Sequence, residues 1–516
     1  MPTYLPTETL QPFCVRPLLP RFGDESLATV AAAPSVQPRD RRYLVLVSVM
    51  AASFMIAIEA TIVSTAMPQI VSHLGGLRLY SWVFSSFLLA QTATTVVFGK
   101  LSDLYGRRPI LLVGIGIFLL GSILCGVAWS MPSLIAFRLL QGLGAGAIQP
   151  VSMTVVGDLY PAQERGRVQG WLASVWGVSS IVGPLAGGLI IQHVSWAWIF
   201  WINVPIGVAS GVGFFLFLRE RVEKHQRKVD IPGAVLFAVA TAALMVALTE
   251  AGTGRLQVPL IALLVCVVSG ALFVRQEMRA PEPMVSFSLW SRLVIATTNA
   301  TALFGGMAII GLKTFLPMYV QVVMQHSPLV AGFMLTAMVL GWPVAATLGA
   351  RNFARFGLRP VLVLGAILLP IGAIPFVILA PSMSPLVAGL GSLIMGFGMG
   401  FMSTAAIVII QDSVGWAERG AATASNLFAR NLGSTLGATA LGALLNIRLA
   451  SRGAGTLDQI EASLAHASGA AGAASSRELL AQGLHLTFIG VFVISILTLG
   501  VSVFVPRVSL TKKGND

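Results

Sequence analysis

At 516 residues, 56% of them hydrophobic and only 10% charged, with a mean hydropathy of +0.84, the chain has too little polar surface to cover a soluble core. It belongs in a lipid bilayer. The net charge of +13 comes with no basic face or aromatic nucleic-acid module, and Cys14, Cys125 and Cys266 lack the spacing of a disulfide framework or zinc site, so nucleic-acid binding, a secreted disulfide scaffold and a structural zinc are all set aside.

Residues 1–42 hold scattered prolines and charges without the continuous apolar core of a cleaved signal, and read as a disordered cytoplasmic tail. Fourteen apolar stretches follow, each of about 20 residues and so long enough to cross a hydrocarbon layer of roughly 30 Å. They begin near Leu44, Trp82, Ile110, Ser133, Val168, Trp198, Ile231, Val258, Ala296, Val330, Val361, Leu386, Ser425 and Leu486. Placing the N-terminus in the cytoplasm sorts the 33 basic residues by side: Arg78, Arg255, Arg448, Arg452 and Arg477 fall in outer loops, Arg138, Lys313 and Arg430 fall within spans, and the rest are cytoplasmic. This positive-inside asymmetry independently predicts an even number of spans with both termini in the cytoplasm.

Span 1 carries Glu59, and an ionisable group at that depth is expensive unless it faces a cavity, a partner or a proton path. By helix rise Glu59 lies about 12 Å below the outer end of span 1, and Arg138 roughly 8 Å below that of span 4, so their depths permit pairing. Burial and a neighbouring Arg⁺ act in opposite directions on a carboxyl group, which admits two roles: a proton or cation site, or a structural ion pair.

Between spans 2 and 3 lies Gly99-x-x-x-Asp103-x-x-Gly106-Arg107-Arg108-Pro109, a tight turn that holds cations at the cytoplasmic headgroup level. The Asp103 carboxylate suits the N-terminus of a helix in the other half of the molecule, where it would act as a latch. The segment returns in shortened form at Arg355-Phe-Gly357-Leu-Arg359-Pro360. Asp158 followed by Glu164-Arg165-Gly166 returns as Asp412 followed by Glu418-Arg419-Gly420. These echoes step by eight spans, which predicts two six-span bundles, spans 1–6 and 9–14, with spans 7 and 8 inserted between them. The divisions are a tail at 1–42, a first bundle at 43–218, a linker with two inserted helices at 219–292, a second bundle at 293–506 and a tail at 507–516. At the position aligned with Asp103 the second copy has Ala354, so the stronger cytoplasmic gate is expected on the Gly99 to Pro109 side.

In span 4, Gly142, Gly144 and Gly146 lie inside an apolar run with no strand before them, which points to helix packing and away from dinucleotide binding. Span 5 contains Gly183-Pro184-Leu-Ala-Gly187-Gly188, where the proline removes one helix hydrogen bond and the small residues admit a close neighbour, so a bend around a tight contact is expected. Lys313 in span 9 sits roughly 12 Å from the outer surface, and either faces a central cavity for substrate or coupling, or snorkels, with Pro317 opening the helix nearby. Arg430 in span 13 lies within about 10 Å of the cytoplasmic headgroups and reads as a gate or structural residue. Before span 14 comes a long outer loop at about 448–483, rich in Ala, Gly and Ser.

The Gly99 to Arg108 motif resembles the signature loop of the major facilitator superfamily. Gly183 to Gly188 resembles the motif of its proton-coupled exporters. Arg138-x-x-Gln141-Gly142, Phe200-Trp-Ile-Asn203-Val-Pro205-Ile-Gly207 and Phe428-Ala-Arg430-Asn431-Leu-Gly433, with the two-span insert, resemble its fourteen-span drug:proton antiporter branch, over residues 40 to 506. Related antiporters often have Asp followed by x-Thr-Ile-Val where this chain has Glu59-Ala-Thr61-Ile-Val63.

The resemblance implies an all-α polytopic membrane protein with the major facilitator fold, two six-helix bundles plus two inserted helices. It implies an intracellular gate of Asp103, Arg107, Arg108 and Asp158, and an antiporter bend at Gly183, Pro184, Gly187 and Gly188. Glu59, Arg138 and Lys313 are the candidate proton-coupling or substrate residues. The implied activity is alternating-access export of hydrophobic drugs or toxic compounds, cations among them, against protons, by a monomer in the plasma membrane, or the inner membrane of a Gram-negative source. Its partners would be a small-molecule substrate, protons and the bilayer, with no cofactor, metal or nucleic acid. A dedicated exporter of one metabolite, siderophore or peptide would use the same scaffold. A membrane sensor or enzyme is the distant alternative, and Gly-x-x-x-x-Gly-Lys-Ser/Thr, His-Glu-x-x-His and Gly-x-Ser-x-Gly motifs do not occur.

Overall fold

A computed structural model describes residues 39–160, 162–220, 230–250, 257–280, 283, 287–415, 418–450 and 470–506, with a few side chains inside the helices, Asp103 among them, outside the description. Among these residues the chain is helical and contains no strand. The expected tails, the stretch 221–229, most of 281–286 and the loop segment 451–469 lie outside the described residues.

The first group of helices is α1 (Arg39–Leu74), α2 (Tyr80–Tyr105), α3 (Arg107–Gly126), α4 (Met131–Leu159), α5 (Ala162–His193) and a sixth span broken into α6 (Trp198–Trp201) and α7 (Asn203–Phe217). Two further spans, α8 (Ile231–Glu250) and α9 (Gln257–Glu277), precede the short α10 (Phe287–Trp290). The last group is α11 (Leu293–Met318), extended by a π turn at Tyr319–Val323, then α12 (Pro328–Phe356), α13 (Leu358–Val377), α14 (Pro385–Asp412), α15 (Arg419–Ala450) and α16 (Ala470–Val503). Thirteen spans among the described residues are long and apolar enough to cross a membrane. α15, at 32 residues, holds the span expected from near Ser425 and is the fourteenth long helix, more polar along its length than those thirteen. The protein is a multi-pass membrane protein.

The local sequence explains the helix starts. Ser130 caps α4 in a capping box with Ser133, and Ser327 and Ser384 cap α12 and α14 through their side chains, each followed by a proline within the first two helical positions. A Ser cap satisfies an orphan N–H, and a proline there loses no intrahelical bond. α3 and α13 start instead from Gly106 (φ 92°, ψ 155°) and Gly357 (φ 83°, ψ 167°). The sequence echo is thus a backbone echo, a positive-φ turn that only glycine adopts without strain. The loop expected over 448–483 is helical at both ends, because α15 runs to Ala450 and α16 begins at Ala470, in an Ala-rich stretch with high helix propensity and little hydropathy.

Helix packing repeats. α1 packs against α5 and α7, α2 and α3 against α4, and α3 against α7; correspondingly α11 packs against α15 and α16, α12 and α13 against α14, and α13 against α16. Across the two groups α5 meets α12, α15 meets α2, and α1 meets α11. α8 and α9 pack on each other, with α8 also touching α2 and α15.

The helices alternate in direction between two faces. On the face where α1 begins, the near face, Arg107 pairs with Asp158, the Tyr160 hydroxyl donates to the Arg42 carbonyl at 3.0 Å, and Arg292 pairs with Glu418 at 2.9 Å. On the far face Arg78 pairs with Glu250, and Asn446 Nδ2 donates to the Arg78 carbonyl at 2.9 Å. Contacts between the two groups gather toward the far face. The Tyr80 hydroxyl donates to the Thr314 carbonyl (2.8 Å), Gln321 Nε2 to the Thr65 carbonyl (2.9 Å), and the Thr439 hydroxyl to Ser85 Oγ (3.0 Å). One apolar cluster spans both groups there, joining Ile62, Tyr80 and Phe200 to Phe315, Tyr319 and Met338, while the near half of the first group keeps a separate core around Val49, Leu111, Phe118 and Ile148. The far face is therefore sealed.

Candidate functional site

Glu59 and Arg138 meet in the interior of the first group. The carboxylate is 1% exposed and the guanidinium 3%, and Arg138 Nη1 donates to Glu59 Oε1. Asn203 Nδ2 donates to Glu59 Oε2 at 2.6 Å. Arg138 Nη1 also donates to Gln141 Oε1 at 2.7 Å and its Nε to the Val83 carbonyl at 3.1 Å, while Gln141 Nε2 donates to Ser122 Oγ at 2.8 Å. The Arg138 guanidinium lies 4.3 Å from the Phe87 ring centre and 6.0 Å from that of Phe200.

Each member is placed by its own element. Arg138 and Gln141 are one turn apart on α4 and share a face; Asn203 opens α7 just after the break in the sixth span, and Ser122 comes from α3. Five helices are tied to one charge pair. A buried ion pair is tolerated when its remaining donors and acceptors are satisfied, and here both carboxylate oxygens have donors. Asn203 and Gln141 lay inside quoted sequence motifs without an assigned role, and their partners depend on helix rotations that spacing does not reveal.

The Gly183 to Gly188 segment of α5 is wedged between α1 and α12. A Cβ on Gly187 would lie 2.7 Å from Thr65 Oγ1 and 3.0 Å from Ile62 Cγ1, and one on Gly183 would overlap Thr61 Oγ1. On the other side a Cβ on Gly188 would sit 3.3 Å from the Leu329 Cα, and one on Gly332 would overlap Pro184. The segment is thus a close three-helix contact that joins the two groups. In α4 the glycine run works similarly: Gly142 and Gly146 admit α2, and Gly144 admits α3.

At the near face, Arg107 Nε lies 2.7 Å from an Asp158 carboxylate oxygen and Nη1 lies 3.2 Å from Glu220. Glu220 also accepts from the backbone N–H groups of Arg107 (2.6 Å) and Arg108 (3.3 Å), capping α3 where its dipole favours negative charge. Arg108 stacks on Phe215, 4.7 Å from the ring centre. Asp158 and Phe215 belong to the first group, and Glu220 follows directly after its last helix. The counterpart Arg359 donates to the Val503 carbonyl at 2.8 Å, so in both groups the turn reaches the end of its own sixth span. Glu220 was not foreseen; its only signal was a carboxylate in the charged stretch that follows span 6. The side chain of Asp103 lies outside the described residues.

Lys313 is half-buried on α11, and Arg430, also half-buried, lies on the adjoining α15 with its guanidinium 5.8 Å from the Trp342 ring centre. Pro317 lacks the N–H that would meet the Lys313 carbonyl, and the π turn follows directly. Glu59 and Arg138 are brought together, then, and so are Arg107 and Asp158; Lys313 and Arg430 lie on the adjoining α11 and α15 at different heights along the helices.

The family model described as Major Facilitator Superfamily matches residues 49–438. The chain is 35% identical over 403 residues to multidrug resistance protein 3 of Bacillus subtilis (strain 168), covering 77% of this chain and 78% of that protein. It is 32% identical over 413 residues to multidrug transporter protein MdtP of the same organism, covering 80% and 76%. Among solved structures it is similar to a bacterial homologue of the human lysosomal transporter Spinster, in an inward-facing and occupied conformation, with a TM-score of 0.61, 16% identity, and coverage of 91% of this chain and 97% of that one; this likeness concerns the fold.

Proposed function

The chain belongs to the Major Facilitator Superfamily, and from that premise we propose that it is a proton-coupled secondary transporter that exports hydrophobic drugs or toxic compounds by alternating access. Kinship with proteins named as multidrug transporters supports the export of drugs. The observation that carries proton coupling is the Glu59 to Arg138 pair, a titratable carboxylate buried among five helices.

The chemistry follows from the partners. While ionised, Glu59 neutralises Arg138 and accepts from Asn203. A proton arriving on Glu59 leaves the guanidinium uncompensated in a dry interior, where an unpaired charge is costly, so the α1, α4 and α2 contacts must rearrange. Asn203 suits both states. Its amide donates to the carboxylate, and after half a turn its oxygen accepts from the carboxylic acid; that Oδ1 is buried without a hydrogen bond in the ionised state.

With both termini in the cytoplasm of a plasma-membrane protein, the far face is the outer one, and the sealed outer contact corresponds to an inward-facing state. Arg107, Arg108, Asp158 and Asp103 then form a near-face gate that fixes α3 and α4 when this side closes, and the Gly183 to Gly188 wedge is the pivot between the groups. Protonation from outside releases substrate, and deprotonation toward the cytoplasm restores the pair. One charge moving through 100 mV supplies about 2.3 kcal/mol, enough to drive accumulation without ATP. No residue of this scheme makes or breaks a covalent bond to substrate, so the protein acts as a carrier.

In vesicles of purified protein, an imposed proton gradient should drive accumulation of several unlike hydrophobic compounds that compete with one another, and Glu59→Gln should abolish the accumulation without preventing membrane insertion. Gradient-driven transport by Glu59→Gln at the wild-type rate would overturn the assignment. Transport of a single compound with no competition would favour a dedicated exporter.

A further inference from the structure

The inserted helix α8 lies on one seam between the two groups, where it touches both α2 and α15. Those two helices run antiparallel, and among the described residues their hydrogen bonds belong to the far half of the seam. Asn446 Nδ2 of α15 donates to the Arg78 carbonyl in the turn before α2 at 2.9 Å, and the Thr439 hydroxyl donates to Ser85 Oγ at 3.0 Å. The Ser85 hydroxyl in turn reaches the Thr435 carbonyl at 3.5 Å, and a Cβ on Gly442 would overlap Ser81. On the register that these contacts set, Ala93 and Phe428 face each other two turns closer to the near face. There the seam holds a ring from the insert. Phe237 of α8 joins Ala93 and Phe428 in one buried cluster, with its ring centre 5.1 Å from that of Phe428.

The far end of α8 is fastened differently, by polar bonds to the first group. Trp82 Nε1 donates to Thr249 Oγ1 at 2.8 Å, and Glu250 pairs with Arg78, the residue whose carbonyl accepts from Asn446. Thr249 and Glu250 thus hold the turn before α2 where α15 reaches it. Phe273 of α9 approaches the Phe237 ring at 5.8 Å, and α9 packs on α8. A close-packed interior gives up little volume, so a motion that brings the near halves of α2 and α15 together has to displace Phe237. A motion that parts their far halves has to break the Asn446 bond to the turn that α8 secures.

We propose that α8 sets the resting state of the transport cycle: Phe237 is a spacer that keeps the near halves of α2 and α15 apart, while Thr249 and Glu250 keep the far junction shut. Both ends of the helix then favour the arrangement that is sealed on the far face. The inference rests on the alternating-access reading. Contacts made in one state and lost in the other shift the balance between them by their differential energy, so removing the ring shifts the population toward the far-open state. In a carrier that takes its cargo from the near side, such a bias keeps the site open to cargo.

The test is hydrogen–deuterium exchange of the purified full-length protein in detergent, read at the far-face segments 75–82 and 319–328 and at the near-face turns 100–108 and 353–360. In Phe237→Ala the far-face exchange rates should rise about tenfold and the near-face rates should fall, because exchange reports how often each face opens. Phe428→Ala removes the same contact from α15 and should act in the same direction. The double variant of Thr249→Val with Glu250→Gln should raise far-face exchange by about threefold. Phe273→Ala meets the ring from outside the seam and should leave both faces as in wild type. The proposal is overturned if Phe237→Ala and Phe428→Ala leave both faces unchanged, or if exchange rises at both faces together, which is what loss of a mere brace would give. Opposite shifts at the two faces, in a protein that moves no compound across vesicles under a proton gradient, would refute the transport reading and leave the spacer standing. Gradient-driven transport without those shifts would do the reverse.

Discussion

The two groups of helices share a packing scheme but handle interior charge in opposite ways. Glu59 and Arg138 match each other's charge and are held by Asn203, Gln141, Ser122 and the Val83 carbonyl. Around Lys313 and Arg430 the visible support is one indole ring, Trp342. A matched pair ties helices together through charge, whereas a cation without a carboxylate partner does not. The difference teaches that a duplicated scaffold can keep one packing scheme while the two copies hold different interior charges.

The sharpest way to break this contrast is to strand a charge on the matched side. Arg138→Met leaves a buried carboxylate without its cation and should lower stability by about 3–5 kcal/mol, read as a large fall in thermal midpoint in detergent. Adding Glu59→Gln to it should recover much of the loss. No recovery would show that Arg138 acts through packing on Phe87 and not through charge.

Next in size is the contact between the groups. Gly187→Val forces methyl groups onto Thr65 and Ile62 and should cost about 1–3 kcal/mol while separating α5 from α1. Accessibility of an engineered cysteine at Thr65 to a water-soluble thiol reagent should rise. An unchanged labelling rate would mean that the seal does not depend on this wedge.

A smaller effect is expected at the near face. Glu220→Gln weakens the cap of α3 and the Arg107 pair, which are partly solvated, so the loss should be about 1 kcal/mol or less and should shrink in high salt. A loss that salt does not alter would place the interaction deeper than its geometry suggests. The smallest change is predicted on the unmatched side. Lys313→Met removes a cation that has no carboxylate partner among the described residues, so the thermal midpoint should stay within about 1 kcal/mol of wild type or rise. A drop as large as that of Arg138→Met would erase the contrast between the two groups.

Much of the architecture is legible in the chain because membrane helices announce themselves by length and hydropathy, as with α3, α8 and α13. Gly106 and Gly357 mark the duplicated turn because the backbone there needs positive φ. α16 begins well before its apolar run because alanine forms helix without being hydrophobic enough to signal a span. At the site, depth arithmetic along two helices matches the meeting of Glu59 with Arg138. It gives no access to Asn203 or Glu220, whose roles arise from helix rotation and from a partner more than a hundred residues away in each case. Nor does it show that Arg107 pairs with Asp158 of its own group and with Glu220 just after that group, since the same charges could have reached across the interface.

The central claim is that Glu59 exchanges a proton as substrate crosses. The most direct measurement is the proton flux elicited by adding a transported compound to vesicles that contain the purified protein and an internal pH dye, with no proton gradient imposed. Wild type should move protons opposite to the compound, and Glu59→Gln should give no proton signal. Substrate movement in wild type without any proton flux, or an undiminished flux in Glu59→Gln, would contradict the account.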